Sequence, residues 1–304
     1  MPGCTLPRLL LTLYLSSHYC YHTQAQSPTP KSVSIWEIRD HDNVVYLAGS
    51  VHLLRESDLP IPDCYFRAYR ECKHVYFELD MKLVGQPEMK QRMLEMAQLP
   101  PEMTLSRFIP KETLARLQTY VRSKGVSAKT LNHLKPGMVI PTLSALSARE
   151  MGASPDNGIE SLIYSRCKED GTSVSGLETP EYQLSMFDEL DPKSLDRLIN
   201  QAIDDADKPA DTLEKLLKAW RHGDNDTLDK LITEKTPRGG NVHDVVMVKR
   251  NQNWLPVIEQ SIKSSQNDLF LVGAGHLVGP DGIVQMLTTK GYQVTQLNRD
   301  SLQN

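Results

Sequence analysis

The first third of the chain alternates short apolar runs with one helical segment. Apolar runs at Val33–Arg39 and Val44–Gly49 flank Asp40-His41-Asp42-Asn43, a turn composition, and together they predict a β-hairpin. A helix from Pro60 to Cys72 and a strand from Lys73 to Asp80 follow. A strand, a helix and a strand in this order predict a βαβ unit, whose parallel strands end at one edge of a sheet.

The pattern changes to helical periodicity further along. Residues from about 86 to 170 are amphipathic and rich in methionine, which predicts a helical insertion of core and covering helices. A strand that closes on Glu178 follows, and the segment 181–236 is again helical. Two more helical segments, His243–Arg250 and Asn253–Lys263, are expected to be interrupted near Asn251.

The C-terminal part returns to the first arrangement. A buried strand at Leu269–Val272 precedes a helix at Pro280–Lys290 and a strand at Tyr292–Leu297, with Gly291 as a helix C-cap signal. We therefore expect an α/β (α+β) fold. Its mixed central β-sheet would be built from βαβ-like units at both ends of the chain, with a large helical block between them.

Composition limits the class of partner. The chain has 304 residues, a net charge of -4 and a pI of about 6.1, and its charges are spread along the sequence. It lacks the basic patch that binds phosphates, so we expect no nucleic-acid partner.

The N-terminus has the layout of a signal peptide. Arg8 precedes an apolar run too short to span a bilayer, and Thr23 and Ala25 are small residues at the positions that a signal peptidase reads. A disordered apolar leader or a single N-terminal anchor are the alternatives. We expect a signal peptide at 1–25, a linker at 26–32 and one domain at 33–304, exported to the periplasm or secreted, without stable membrane insertion after cleavage.

Cleavage would leave an odd number of cysteines. Cys64, Cys72 and Cys167 remain, so at least one thiol is free or paired between chains. On one helix, Cys64 and Cys72 would lie about 12 Å apart along the axis, too far to form a disulfide. The chain is therefore not predicted to be a disulfide scaffold.

The candidate functional residues lie in a Gly-x-x-His motif that occurs twice. Gly49-Ser-Val-His52 and Gly273-Ala-Gly-His276 each follow an apolar run, and Glu78 lies at the end of a third. The predicted βαβ unit places Glu78 beside His52. Two imidazoles and a carboxylate are ligands that Zn, Mn, Co or Fe accept, and three protein ligands leave one position open for water. Each motif alone is common; their combination predicts a metal site of His52, Glu78 and His276.

Several segments, in this order and spacing, carry a resemblance to a known family. They are Leu47-Ala-Gly-Ser-Val-His52, Phe77-Glu-Leu-Asp80, Gly158-Ile-Glu160, Leu177-Glu-Thr-Pro-Glu-Tyr-Gln183, Trp220-Arg-His-Gly-Asp224, Lys249-Arg-Asn251 and Val272-Gly-Ala-Gly-His-Leu-Val-Gly279. From about Ser34 onward the chain resembles the TraB/PrgY/GumN family, which includes the Tiki metalloproteases, and its exported GumN-like branch in particular.

The resemblance implies a mixed α/β fold with a divalent-metal site at His52, His276 and Glu78. It also implies peptide-bond hydrolysis with Mn or Co favoured as the ion, and so a peptide or protein substrate. Together with the ligand types, this predicts Mn, Co or Zn as the cofactor. Glu160, Glu178 and Arg250 stand at family positions. The residues leave their roles open.

Two roles are possible for Glu78, because a glutamate that binds a metal through both oxygens is a poor base. If Glu78 is a ligand, Glu160 is the candidate general base. Arg250 would bind a substrate carboxylate or a developing oxyanion. Alternatively, Arg250 would form a salt bridge with Glu160 or Glu178 that supports the site.

An exported metal-dependent peptidase is the leading hypothesis. A non-catalytic module that binds a peptide, a metal or haem is one alternative, and hydrolysis of an ester or lactone is another. In a further alternative the histidines are merely buried and hydrogen-bonded. Neither the oligomeric state nor the individual substrate follows from the sequence.

Overall fold

The computed structural model describes residues 32–40, 42–206 and 209–299. The signal peptide predicted at 1–25 lies outside the described residues, as does all of the predicted linker except Ser32, which is the first residue of the first strand.

Most strands of the described residues lie towards the two ends of the chain, and most helices lie between them. The strands are β1 (Ser32–Arg39), β2 (Val44–Ser50), β3 (Leu54–Arg55), β4 (His74–Leu79), β5 (Ala153–Ser154), β6 (Ser173–Glu178), β7 (Asp268–Gly273) and β8 (Val294–Asn298). The helices are α1 (Cys64–Arg70), α2 (Met81–Val84), α3 (Pro87–Met96), α4 (Lys111–Ser123), α5 (Ala128–Leu131), α6 (Pro136–Glu150), α7 (Ile159–Asp170), α8 (Pro180–Ser185), α9 (Pro192–Ala206), α10 (Pro209–Arg221), α11 (Asn225–Lys235), α12 (Asn241–His243), α13 (Lys249–Ile262) and α14 (Ile283–Thr289).

Six strands form one mixed sheet in the order β6-β4-β7-β2-β1-β8, and β3 pairs with β5 separately. The strands β6, β4, β7 and β2 run parallel to one another, whereas β1 is antiparallel to both β2 and β8. This confirms the predicted α/β class with a mixed central sheet and the β1–β2 hairpin.

The strand order adds one feature to the predicted βαβ unit. The chain passes from β2 through α1 to β4, as expected, but β7 lies between those two strands. Residues Leu269–Val272 of β7 are all buried, and an uninterrupted apolar run is suited to the middle of a sheet, where both faces are covered. The strands β2 and β4 are therefore not adjacent, and Glu78 and His52 approach each other at the end of β7, beside Gly273.

The helix after residue 240 also differs from its prediction. No break occurs at Asn251, because α12 continues through a π-helical turn at Asp244–Val248 into α13. Asn251 is buried within α13, where its side chain has hydrogen-bond partners on another part of the chain. These tertiary contacts outweigh the weak helix propensity of asparagine.

The main core packs α1, α7, α10 and α13 against the sheet. Trp220 of α10 is fully buried and its Nε1 donates to the carbonyl oxygen of Gly49 at 2.8 Å. The hydroxyl of Tyr65 on α1 donates to the same oxygen at 2.5 Å. Two elements thus hold the end of β2 in place, just before His52.

A second, separate apolar cluster lies among α4, α6 and α9, with Leu117, Leu143 and Ile199 fully buried in it. The predicted helical insertion at about 86–170 contains α4 and α6 but not α9, and α7 packs in the main core. The helical block therefore has a core of its own.

Cys64, Cys72 and Cys167 are buried free thiols, in agreement with the prediction that no disulfide frames the fold. Each helix within 32–40, 42–206 and 209–299 is too short or too polar to cross a membrane.

Candidate functional site

The two Gly-x-x-His motifs begin on neighbouring parallel strands at the same level. Gly49 of β2 is in register with Val272 of β7, and Ser50 with Gly273. His52 follows the end of β2, and His276 closes a short 3-10 turn that follows β7. Both histidines therefore lie at one edge of the sheet, which is the carboxyl edge where α/β folds commonly place their sites.

Gly273 is the point on which three side chains converge. The position that a Cβ atom on Gly273 would occupy is 3.2 Å from Oε1 of Glu78, 3.6 Å from Nε2 of His52 and 3.6 Å from Cδ2 of His276. The missing side chain of Gly273 leaves a cradle among these groups. The structure thus brings together all three residues that the sequence predicts as metal ligands.

Glu78 is buried at the end of β4 and accepts hydrogen bonds on both carboxylate oxygens. The backbone N–H of Gly273 donates to Oε1 at 2.7 Å, and Nη2 of Arg250 donates to Oε2 at 2.7 Å. Burial alone would raise the pKa of Glu78, but the positive charge of Arg250 and the nearby histidines hold that pKa well below its usual range. Glu78 is therefore a carboxylate at neutral pH.

Arg250 forms the buried centre of the site, with a side chain that is only 4% exposed. Its Nε and Nη2 donate to the two oxygens of Glu178 at 2.8 and 2.9 Å, a bidentate pair. The guanidinium also lies over the ring of Trp254, 4.7 Å from its centroid. Of the two proposed pairings, Arg250 forms the one with Glu178, and it adds a bond to Glu78.

His276 is held at both ring nitrogens. Its Nδ1 is 2.7 Å from Oδ1 of Asn251, and its Nε2 is 3.0 Å from Nη1 of Arg250. Because an arginine can only donate, Nε2 must be the acceptor and Nδ1 must carry the proton. Burial, with Arg250 nearby, lowers the pKa of His276 to about 3, so the ring is neutral.

His52 has a different environment. Its side chain is 60% exposed, and its Nδ1 lies 2.6 Å from Oε1 of Glu160, which also accepts a bond from Oγ of Ser50 at 2.5 Å. The negative charge of Glu160 raises the pKa of His52 to about 9. The bond at Nδ1 leaves Nε2 directed to the cradle, so Glu160 orients the imidazole.

The residues present fit a divalent metal in chemical type and in their convergence on Gly273. Their present positions do not form a metal-coordinating group. In the part of the chain that the structure describes, no three His, Cys, Asp or Glu side chains have metal-binding geometry. The physical reason is that the Nε2 lone pair of His276 faces Arg250. Coordination by His276 would require Nη1 of Arg250 to move away.

Three site residues escaped a functional assignment from the sequence. Asn251 holds His276, Ser50 holds Glu160, and Gln183 of α8 approaches Oε2 of Glu78 at 3.4 Å. A signal existed for each of them: Ser50 lies inside the first Gly-x-x-His motif, and Asn251 directly follows Arg250. Gln183 lies on α8 and is the last residue of the family segment that begins at Leu177, which is the signal that marks it.

Comparison with known proteins adds two matches. The model of the TraB/PrgY/gumN family matches residues 34–296. A protein of Amphimedon queenslandica described as "Metalloprotease TIKI homolog" is 21% identical over an alignment 342 positions long, gaps included, which covers 95% of this chain and 65% of that protein. The chain thus spans about two thirds of the length of this relative. No solved structure matches the chain significantly.

Proposed function

Because the chain belongs to the TraB/PrgY/gumN family, we propose that it is a divalent-metal-dependent hydrolase whose substrates are peptides or proteins. The observation that carries this proposal is the convergence of His52, Glu78 and His276 around Gly273. The description of the Amphimedon queenslandica relative as a metalloprotease homologue supports the reaction class.

His52 and His276, each through Nε2, and the carboxylate of Glu78 would hold the ion, for which Mn, Co and Zn are the candidates. When bound, a divalent metal lowers the pKa of a coordinated water, so that hydroxide is available near neutral pH.

The residues around the ligands fix their orientation. Glu160 accepts at Nδ1 of His52 and Asn251 accepts at Nδ1 of His276, so both rings present Nε2. Such bonds from the neighbouring shell set the tautomer of a ligating histidine and raise its basicity. Both histidines have this support.

The two glutamates suit different roles. Glu78 is an ionised, buried carboxylate with a strongly lowered pKa, which favours a ligand over a proton acceptor. Glu160 is the proposed general base. Its bonds to His52 and Ser50 both use Oε1, so Oε2 is the oxygen that would accept a proton.

Arg250 is proposed to act through charge. It neutralises Glu78 and Glu178 in the buried site, and its positive charge beside the proposed ligands would stabilise an oxyanion that develops there. The bidentate bond to Glu178 holds the guanidinium in position. Export to the periplasm or secretion, with removal of residues 1–25, belongs to the same proposal.

One observation favours a second function, a non-catalytic module that binds a peptide or a metal. The bonds of Arg250 to His276, Glu78 and Glu178 satisfy the buried polar groups without any ion. Such a site would be stable without turnover.

Metal binding and peptide hydrolysis by the purified protein test the proposal. Wild type is compared with a His52→Ala/His276→Ala double variant and with His133→Ala, which changes an exposed histidine in the helical block. We expect stoichiometric Mn, Co or Zn, and cleavage of a peptide library, in wild type and His133→Ala only. Cleavage retained by the double variant would contradict the proposal, and metal binding without cleavage would favour the binding module.

A further inference from the structure

A cavity of about 440 Å³ lies in the helical part of the molecule, outside the site described above. Its walls come from α6, α9 and α10, and the end of α11 forms part of its rim. A cavity of this size is within the range of ligand-binding pockets in proteins.

Two facing helices present apolar stripes to the cavity. On α6 the lining residues Ile140, Leu143 and Ser147 recur every three or four positions, and on α9 Leu198 and Ala202 do the same. This spacing places each set on one face of its helix. The walls are therefore two continuous helix faces with mostly apolar side chains.

Several of these apolar side chains are not buried by the fold. Leu53, Leu198, Leu213 and Leu216 all line the cavity and are each only partly covered. A contiguous apolar surface that remains open to solvent is typical of a binding site. The helical block packs its own core around Leu117, and Leu143 of that core also lines the cavity.

The cavity adjoins the candidate site through the chain itself. Leu53 lines the cavity and directly follows His52, and consecutive Cα atoms are about 3.8 Å apart. Just beyond it, Leu54 of β3 pairs with Ser154 of β5, next to the lining residue Ala153. The cavity wall and the candidate site are therefore contributed by consecutive residues of the chain.

Polar groups on the cavity walls favour a peptide with apolar side chains over a plain hydrocarbon chain. Ser147, Gln201 and Thr236 lie among the apolar side chains, and Lys235 pairs with Asp205 at 2.7 Å, both half-exposed. A hydrocarbon chain offers the hydroxyl of Ser147 and the amide of Gln201 no hydrogen-bond partner, at a cost in free energy. Peptide N–H and C=O groups can bond to them.

We propose that this cavity is the specificity pocket of the site and binds large apolar side chains of a peptide substrate. The inference rests on the proposed function for its substrate class, but the binding itself does not depend on catalysis. It predicts a preference for aliphatic or aromatic residues close to the peptide bond that reaches His52.

Peptide binding to the full chain, without turnover, tests the inference. The probe is a fluorescently labelled hexapeptide rich in Leu and Phe, and the matched probe carries Ser and Gln at the same positions. Ala202→Phe fills the cavity from α9, and Ala115→Phe places the same change on an exposed position of α4. Leu213→Gln makes the α10 wall polar at nearly constant size, and thermal unfolding checks that each variant is folded.

We expect wild type and Ala115→Phe to bind the apolar probe at least about 10-fold more tightly than the polar probe. Ala202→Phe and Leu213→Gln should lose that preference. Equal binding of the apolar probe by wild type and both cavity variants would overturn the inference, and so would tighter binding of a fatty acid that competes with the probe. The cavity variants could lose the preference for the apolar probe although wild type cleaves no peptide. That result would support the pocket and contradict the proposed hydrolase function.

Discussion

Nη1 of Arg250 lies 3.0 Å from Nε2 of His276, the nitrogen through which that histidine would bind a metal. The other ring nitrogen is bonded to Asn251, so a metal and Arg250 must compete for the same lone pair. The guanidinium also neutralises Glu78 and Glu178. Arg250 therefore supplies the positive charge that a metal ion would otherwise supply to these carboxylates.

Replacing Arg250 tests this competition. Arg250→Met leaves Glu78 and Glu178 buried without a counter-charge, which should lower the free energy of unfolding by about 3–5 kcal/mol in a chelator. Added Mn²⁺ should restore more of this stability than it adds to wild type, because the ion replaces the missing charge.

Chemical unfolding with and without Mn²⁺ measures both effects. Arg116→Met, which removes an exposed arginine paired with Asp204, should change stability by less than about 1 kcal/mol and show no rescue by Mn²⁺. A large loss for Arg250→Met that Mn²⁺ does not reverse would mean that Arg250 supports the fold without sharing a position with a metal.

The neutral state of His276 should appear as acid sensitivity. Burial lowers its pKa to about 3, whereas the unfolded chain takes up the proton near pH 6.5. The folded state thus binds fewer protons, so this contribution to stability is present above pH 6.5 and is lost as the pH falls.

Between pH 6 and 5, wild type should lose about 1 kcal/mol of unfolding free energy through this histidine, and His276→Gln should lack that loss. Urea unfolding at both values, with chelator present, measures the difference. His133→Gln, at an exposed position, should retain the wild-type dependence. The same loss in His276→Gln would show that other groups cause the acid sensitivity.

The pattern of the chain predicts the sheet strands and the gathering of the two histidines at one edge, because Gly-x-x-His follows a buried strand twice. It does not predict that β7 lies between β2 and β4, because strand order depends on long-range packing. Nor does it predict the role of Asn251: a residue that weakens helices is kept inside one by a bond to His276, which only tertiary structure reveals.

Glu160 should control the charge of His52. Its carboxylate raises the pKa of the imidazole to about 9, so Glu160→Gln should lower that pKa towards 6.5, as followed by NMR of the histidine ring. Ser50→Ala keeps the negative charge of Glu160 and should leave the pKa of His52 high. An unchanged pKa in Glu160→Gln would mean that Glu160 does not set it.

The same pair makes a small contribution to stability with a defined pH dependence. Because the folded pKa of His52 is raised, the contribution is complete below pH 6.5 and is lost as the pH rises through about 9. The ring is 60% exposed, so solvent screening limits the effect to at most about 1 kcal/mol.

A substitution at Gly273 tests directly whether a metal binds between His52, Glu78 and His276. A methyl group on this residue would lie 3.2 Å from Oε1 of Glu78 and 3.6 Å from Nε2 of His52, close contacts that small side-chain shifts can relieve. Gly273→Ala should therefore fold with a loss of less than about 2 kcal/mol. Its methyl group would occupy the space between the donor atoms.

Metal affinity should fall by at least about 10-fold in Gly273→Ala, because a ligand set tolerates displacements of only about 0.2 Å. Gly275→Ala is the matched control, since its methyl group would meet the flexible side chain of Ile232 at 2.7 Å, on another side of the turn. Titration with Mn²⁺ and thermal unfolding separate loss of binding from loss of fold. Wild-type affinity in a folded Gly273→Ala would place the metal elsewhere, because an ion held by His52, Glu78 and His276 has no room beside that methyl group.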